Sequence, residues 1–216
     1  MHFKKKLRFL PKILFFAILV KPLVLFLLGL NVRGKKNLPG DGAIIAANHN
    51  SHLDTLVLMS LYPLSQIHKV RPVAAADYFF RNRYLSWFSS HVIGVIALKR
   101  EGFTRPDELF AECYDALNHG DVLIIYPEGS RGKPEQFGRV KKGIFYLQNQ
   151  SENRPDIYPV VLRGLGNALP KGEALLVPFN CDVIIGEKLS ECADFESFGA
   201  ELYQIYERLL EECLTK

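Results

Sequence analysis

The chain has 216 residues, 48% of them apolar, which suits one domain with a substantial core and leaves room for at most two small ones. The formal net charge of +4 is unevenly placed: nine of the 27 Lys and Arg residues fall in the first 40, where there is no acid, leaving 18 against 23 acidic residues beyond. That split excludes a uniformly basic nucleic-acid binder and fits a basic, apolar segment made for an anionic membrane surface, attached to a mildly acidic domain.

From Leu7 to Leu30 the chain is nearly all apolar. Lys21-Pro22 divides this run into Ile13–Val20 and Leu23–Leu30, each about eight residues where a membrane span needs about 20. The proline is expected to kink or end the first helix, and the lysine to snorkel or to face protein. Residues 1–31 therefore read as a re-entrant or interfacial helical anchor, ahead of a single span. A cleaved signal comes last, because no small-residue cleavage site follows and Val32-Arg33-Gly34 runs into the first strand of a domain over 32–216. Basic residues on both flanks fit a segment with both ends on the cytoplasmic side, and hence association with the cytoplasmic face of the inner or cell membrane.

Ala43–Ala47 reads as a short buried strand and Leu56–Leu61 as a helix, with Asn48-His49-Asn50-Ser51-His52-Leu53-Asp54-Thr55 between them. A carboxylate five residues after a histidine can take one ring N–H and fix the tautomer, leaving the other nitrogen to accept a proton from a hydroxyl. The plainer reading makes Asp54 or Ser51 a helix N-cap and His49 a loop residue.

Pro72–Ala76 is expected as a strand, Tyr78–Arg83 as a helix capped by Asp77, Tyr84–Phe88 as an aromatic segment that packs in the core or, as the second choice, lines an apolar channel, and Val92–Leu98 as a second buried strand ending in Lys99-Arg100-Glu101. Thr104–Glu108 starts a helix with proline and acids in its first turn, and Gly120 ends it. Asp121–Tyr126 is a third buried strand leading into Pro127-Glu128-Gly129-Ser130-Arg131-Gly132, and a helix opens at Lys141-Lys142-Gly143. Ile157–Gly164 reads as a strand whose Pro159 places it near an edge or bulge. Strands at Ala174–Phe179 and Asp182–Ile185 and an amphipathic helix over Asp194–Leu214 complete the chain. Cys113, Cys181, Cys192 and Cys213 form no C-x-x-C pair and read as free thiols. The fold class is α/β, with a mixed, largely parallel sheet and helices on both faces.

Three polar clusters follow three apolar strands: Asn48–Asp54, Lys99-Arg100 and Pro127–Arg131. If the strands are parallel neighbours, their carboxyl ends meet at one rim. A His–Asp base would then face cations suited to a phosphate, with Arg100 or Arg131 able to grip it bidentately.

At these residues the chain resembles the glycerolipid acyltransferases of the 1-acylglycerol-3-phosphate acyltransferase type. Asn48-His49-x-x-x-x-Asp54 matches the family's H-x4-D motif, and Tyr126-Pro127-Glu128-Gly129-Ser130-Arg131 is similar to its F-P-E-G-T-R. Gly94–Arg100 looks like its second block and Pro159-Val160-Val161 occupies the place of its fourth, all four in the family's order. The resemblance implies transfer of a fatty acyl group from acyl-CoA or acyl carrier protein to the free hydroxyl of 1-acylglycerol-3-phosphate, giving phosphatidic acid in phospholipid biosynthesis. It implies His49 as general base and Asp54 as its orienting carboxylate. Arg100 would bind the acceptor phosphate, Glu128, Gly129 and Arg131 would shape the acceptor site, and Pro159 would support the acyl-donor side. Asn48, Lys99 and Ser130 complete the expected substrate-binding set. Ala97 in place of the second block's aromatic, and Lys99 beside it, depart from the family pattern and bear on the acceptor's identity.

The expected partners are a membrane phospholipid surface, a lysophospholipid and the acyl donor, with no nucleic acid, no cofactor and no metal. Another lysolipid, such as a lyso-aminolipid, is the nearest alternative acceptor. A metal hydrolase built on His49, His52 and Asp54 lacks a further His or Cys cluster, and a serine hydrolase lacks the G-x-S-x-G elbow around Ser51 or Ser130. A lipid-binding module without catalysis is the alternative of a different class.

Overall fold

A computed structural model describes residues 9–79, 82–99, 105–132, 136–168 and 179–215. Seven strands form one sheet: β1 (Leu28–Arg33), β2 (Ile44–Ala47), β3 (Val70–Ala75), β4 (Ile96–Leu98), β5 (Val122–Ile125), β6 (Ile157–Arg163) and β7 (Phe179–Ile185). Their order is β1-β7-β6-β2-β5-β3-β4, and every neighbouring pair is parallel except β6 and β7. β2 is buried along its whole length, as a continuous apolar run in the middle of a parallel sheet has to be.

Alternation along these strands divides the core in two. Ile45 and Ala47 face a layer made by α1 (Leu10–Phe15), α2 (Lys21–Leu27) and α3 (Leu53–Ser60), with Phe16, Val20, Val24, Val57, Leu58 and Met59 buried between. Ile44 and Ala46 face α7 (Ala111–Asn118), α8 (Gly143–Gln150) and α10 (Phe195–Glu211), which bury Cys113, Leu117, Ile144, Leu147, Phe198 and Leu202. α10 is the longest regular helix among the described residues, and α4 (Ala76–Phe79), α6 (Pro106–Leu109) and α9 (Leu165–Ala168) are single turns. Asp194 caps it, its side chain accepting from the Ser197 N–H at 2.8 Å, and its apolar stripe covers β6 and β7.

The mixed α/β sheet agrees with the expectation from sequence, while several elements differ. Lys21-Pro22 does not end the first helix. A π-helical turn, Phe16–Val20, joins α1 to α2, and Pro22 falls in the first turn of α2, where no backbone donor is required. The Lys21 ammonium faces protein, donating to the carbonyls of Ser60 at 2.6 Å, the last residue of α3, and of Tyr62 at 3.0 Å just past it. The expected boundary at residue 31 falls inside β1, which pairs with β7 over its full length. No helix among the described residues is long and apolar enough to cross a membrane.

Val92 and Ile93 belong to a π-helical turn, Ser89–Ile93, that continues α5 (Arg83–Phe88). Gly94, at φ 79°, ends that turn in the left-handed region, and only Ile96–Leu98 remains as strand. The aromatic segment expected in the core is at the surface instead: Tyr84 is 83% and Trp87 56% exposed. β6 is not an edge strand either. Pro159 pairs with Ala46 on β2, and the antiparallel ladder to β7 begins one residue later, at Val160 opposite Ile185. The missing N–H therefore falls at the end of that ladder, where the Pro159 carbonyl accepts from Gly186 at 2.9 Å. Asp182–Ile185 is the second half of one strand that starts at Phe179, while most of the segment expected at Ala174–Phe179 lies outside the described residues. The four cysteines are thiols, Cys113 and Cys181 buried and Cys192 and Cys213 partly so.

Candidate active site

The site begins where β2 stops. Asn48 follows the last β2 residue, and both ends of its amide are taken by the backbone of β6: Nδ2 donates to the Leu162 carbonyl at 2.9 Å and Oδ1 accepts from the Leu162 N–H at 2.7 Å. This pins the loop, and the chain then turns so that His49 and Asp54 face each other. His49 Nδ1 lies 2.9 Å from Asp54 Oδ2. The same oxygen accepts the backbone N–H groups of Asn50 at 2.7 Å and Ser51 at 2.8 Å. Asp54 is fully buried in the first turn of α3, so three donors converge on one carboxylate oxygen out of water. That arrangement fixes the imidazole with Nδ1–H toward Asp54. Nε2 is left as the proton acceptor.

The imidazole is also held from the side. Tyr126, the residue after β5, stacks on it with ring centroids 3.9 Å apart and 17° between the planes. The Tyr126 hydroxyl lies 2.8 Å from Thr55 Oγ1, so the second strand end and the first turn of α3 lock together around His49. Burial pushes the Tyr126 phenol well above its ordinary range, which keeps it neutral.

Glu128 turns inward. It is 6% exposed, and its Oε1 accepts the His49 backbone N–H at 3.3 Å. A Cβ on Gly138 would come within 2.6 Å of its other oxygen, so a side chain there would displace the Glu128 carboxylate. Burial raises the Glu128 carboxyl, against the lowering by backbone N–H groups of His49 and Gly138. The loop is closed from the far side by the Gly132 N–H, which donates to the His49 carbonyl at 3.1 Å. Gly129 carries φ 73°, and a side chain there would also meet Lys141.

His49 opens into a cavity of about 550 Å³. Its polar end is made by His49, His52, Ser130 and Arg131, and its wall by apolar side chains including Leu56, Val73, Leu85, Phe88, Ile93 and Leu98. Phe15 of α1 reaches the same space and meets Phe88 edge to face at 5.1 Å. One polar end and one long apolar wall describe a compartment for an amphiphile.

The family model described as Acyltransferase matches residues 29–163, more than half of the chain. The chain belongs to the acyltransferase family. It is similar to the chloroplastic 1-acyl-sn-glycerol-3-phosphate acyltransferase LPAT1 of Arabidopsis thaliana, 30% identical over 72% of this chain and 42% of that protein. It is also similar to the chloroplastic 1-acyl-sn-glycerol-3-phosphate acyltransferase BAT2 of Brassica napus, 28% identical over 72% of this chain and 43% of that protein. The chain spans less than half the length of these curated relatives. The crystal structure of the 1-acyl-sn-glycerophosphate acyltransferase PlsC from Thermotoga maritima shares the fold, with a TM-score of 0.71 and 19% identity over 94% of this chain and 81% of that one.

Within this family site, His49, Asp54, Gly129, Ser130 and Arg131 come together at one rim, as parallel neighbours β2 and β5 require. Asn48 and Glu128 are there too, but as buried braces of the backbone rather than as groups facing the cavity. Pro159 lies within the sheet, away from the cavity wall. Lys99 is exposed beyond the end of β4, which β5 and β3 separate from β2, and it does not line the cavity. Arg100 lies outside the described residues. Tyr126 as a ring support carries no role in the reading from sequence and His52 enters it only as a candidate metal ligand, whereas Leu85 and Phe88 line the cavity as the channel alternative for Tyr84–Phe88 expects. His52 as a lining residue was within reach of that reading, three residues from His49 in the turn that starts α3.

Proposed function

We propose that the protein is an O-acyltransferase moving a fatty acyl group from a thioester donor, acyl-CoA or acyl carrier protein, to the free hydroxyl of 1-acylglycerol-3-phosphate. The observation that carries this reading is the His49–Asp54 pair at the polar end of a cavity with a long apolar wall. Family membership and the similarity to relatives named as 1-acyl-sn-glycerol-3-phosphate acyltransferases support the same acceptor.

In this reading Nε2 of His49 takes the proton as the acceptor oxygen attacks the thioester carbonyl, and a C–O bond forms. Asp54 stabilises the imidazolium without taking the proton itself. Collapse of the tetrahedral adduct breaks the C–S bond, and the imidazolium returns its proton to the leaving thiolate. The thioester is already activated, so no nucleotide hydrolysis is needed.

The same reading gives the first helical run its role. Leu10, Leu14, Ile18, Leu25 and Phe26 are exposed on α1, the π-helical turn and α2, while Phe16, Val20 and Val24 of the same run are buried. This outward apolar face, beside an inward face that packs on α3, docks the cavity onto the interfacial region of a membrane where a lysolipid resides.

The test is thiol release from a long-chain acyl-CoA by purified protein, with and without 1-acylglycerol-3-phosphate, beside His49→Ala. Release that needs the acceptor and disappears in the variant is expected. Release without acceptor would make the protein a thioesterase, and release with another lysolipid alone would change the acceptor.

A further inference from the structure

An acyl acceptor with a phosphate headgroup brings a negative charge into the cavity, and the site must hold that charge without using His49. The base has to keep Nε2 unprotonated until the hydroxyl gives up its proton, so it cannot serve as the phosphate's partner. Among the described residues lining the cavity, the other groups able to carry positive charge are His52 and Arg131; the acid is Asp77. Arg131 comes from the loop after β5 and His52 from the residue preceding α3, so the two approach the same polar end from two elements.

The position of His52 follows from the turn that builds the catalytic pair. The chain needs Asn50 and Ser51 to aim their N–H groups at Asp54, which turns the Ser51 and Asp54 side chains inward, both buried. His52 is the residue of that turn left on the outside, exposed and lining the cavity mouth beside His49. We propose that His52 is an acceptor-binding residue: together with Arg131 it holds the terminal phosphate of a phosphomonoester lysolipid and selects it over phosphodiester lysolipids. This deepens the acyltransferase reading and rests on it.

The electrostatics gives the selection a mechanism. Burial, then the nearby Arg131 and His49, lower the His52 imidazole below its ordinary value of 6.5, with Asp54 pulling the other way. With the site empty at neutral pH, His52 is therefore neutral. A phosphomonoester dianion between His52 and Arg131 reverses the balance and draws a proton onto the imidazole, creating a second charge-assisted hydrogen bond beside the arginine's. A phosphodiester, carrying one charge and a bulky substituent, draws that proton far less. Binding coupled to proton uptake weakens as pH rises, so the acceptor KM should climb between pH 7 and 8.5, where the phosphate is already a dianion.

The experiment compares wild type, His52→Gln and His52→Lys, using 1-acylglycerol-3-phosphate and 1-acylglycerol-3-phosphocholine as acceptors with one acyl-CoA donor. His52→Gln should raise the phosphomonoester KM roughly 10–100-fold, the size of one lost charge-assisted bond, with kcat and donor KM within twofold. The KM for phosphocholine acceptor should change little, and the rise of KM with pH should vanish. His52→Lys, with a fixed charge, should restore the low KM and remain flat with pH. An unchanged KM in both variants, or a fall in kcat alone, overturns the assignment of His52 while leaving the transferase reading intact. Absence of acceptor-dependent thiol release in wild type with either lysolipid overturns both.

Discussion

At the residue scale, the site is a set of constraints placed around one imidazole. Asp54 fixes Nδ1, Tyr126 covers one ring face, and Glu128 holds the backbone N–H of the same residue. His49→Ala should lower kcat by about 10²–10⁴-fold, the usual contribution of a positioned general base, with lysolipid binding retained in an equilibrium titration. Asn48 makes the opposite prediction. Its amide bonds the Leu162 backbone and is 2% exposed, so Asn48→Ala should cost about 1–3 kcal/mol of stability for the Leu162 N–H that loses its acceptor, the carbonyl keeping its bond from Asn50 Nδ2 at 3.3 Å. Chemical denaturation measures that loss, and the acceptor KM of the surviving folded fraction should be unchanged.

At the element scale, the helical run from Leu10 to Leu27 has two faces with different tasks. Inward, Lys12 is 2% exposed and its Nζ donates to the Val70 carbonyl at 2.8 Å at the start of β3. Burial first, and then the charge of Arg71, hold its pKa at about 7, with Asp121 acting in the other direction. Between about 7 and the ordinary 10.5 the unfolded chain binds the proton that the folded one has released, so this group makes stability rise with pH across that window. Below both values both states are protonated, and the burial cost is present in full. Denaturation of wild type and Lys12→Met in detergent at pH 7 and 9 should show the variant gaining most at pH 7, the gap narrowing as pH rises. Outward, Ile18 is 71% and Phe26 81% exposed. The double variant Ile18→Glu and Phe26→Glu should keep its melting temperature but lose most of its co-sedimentation with lipid vesicles, because a charge on that face opposes burial in the acyl region.

At the scale of the whole molecule, charge and apolar surface divide the membrane contact between them. Nine basic residues and no acid in the first 40 should make binding to anionic vesicles weaken as salt rises, while the apolar face sets the part that salt leaves untouched. Co-sedimentation with anionic and with zwitterionic vesicles from 50 to 500 mM salt separates the two, and a salt-independent preference for anionic vesicles would contradict this division.

The sequence by itself determined the elements whose cause is local. The apolar runs at 43–47 and 121–126 read as buried strands because an unbroken run covers both faces, and β2 and β5 lie there. The His49–Asp54 pair was legible because five residues of one tight turn bring it together, whatever the rest of the chain does. Local pattern misled where neighbours decide. Tyr84–Phe88 is apolar enough for a core, yet α5 packs one side on Phe15 and leaves Tyr84 and Trp87 outside. Pro22 reads as a helix breaker, but a π-helical turn just before it carries the helix through. Strand order was decided only by the tertiary structure. Chain order gives β2, β3, β4, β5, whereas the sheet inserts β5 beside β2 and moves β4 to the edge. At about 4.8 Å per strand, that places the end of β4 roughly 14 Å across the sheet from His49 and brings Arg131 next to it instead. Non-local pairing reflects which apolar faces the helices cover on both sides of the sheet, and no window of sequence contains that information.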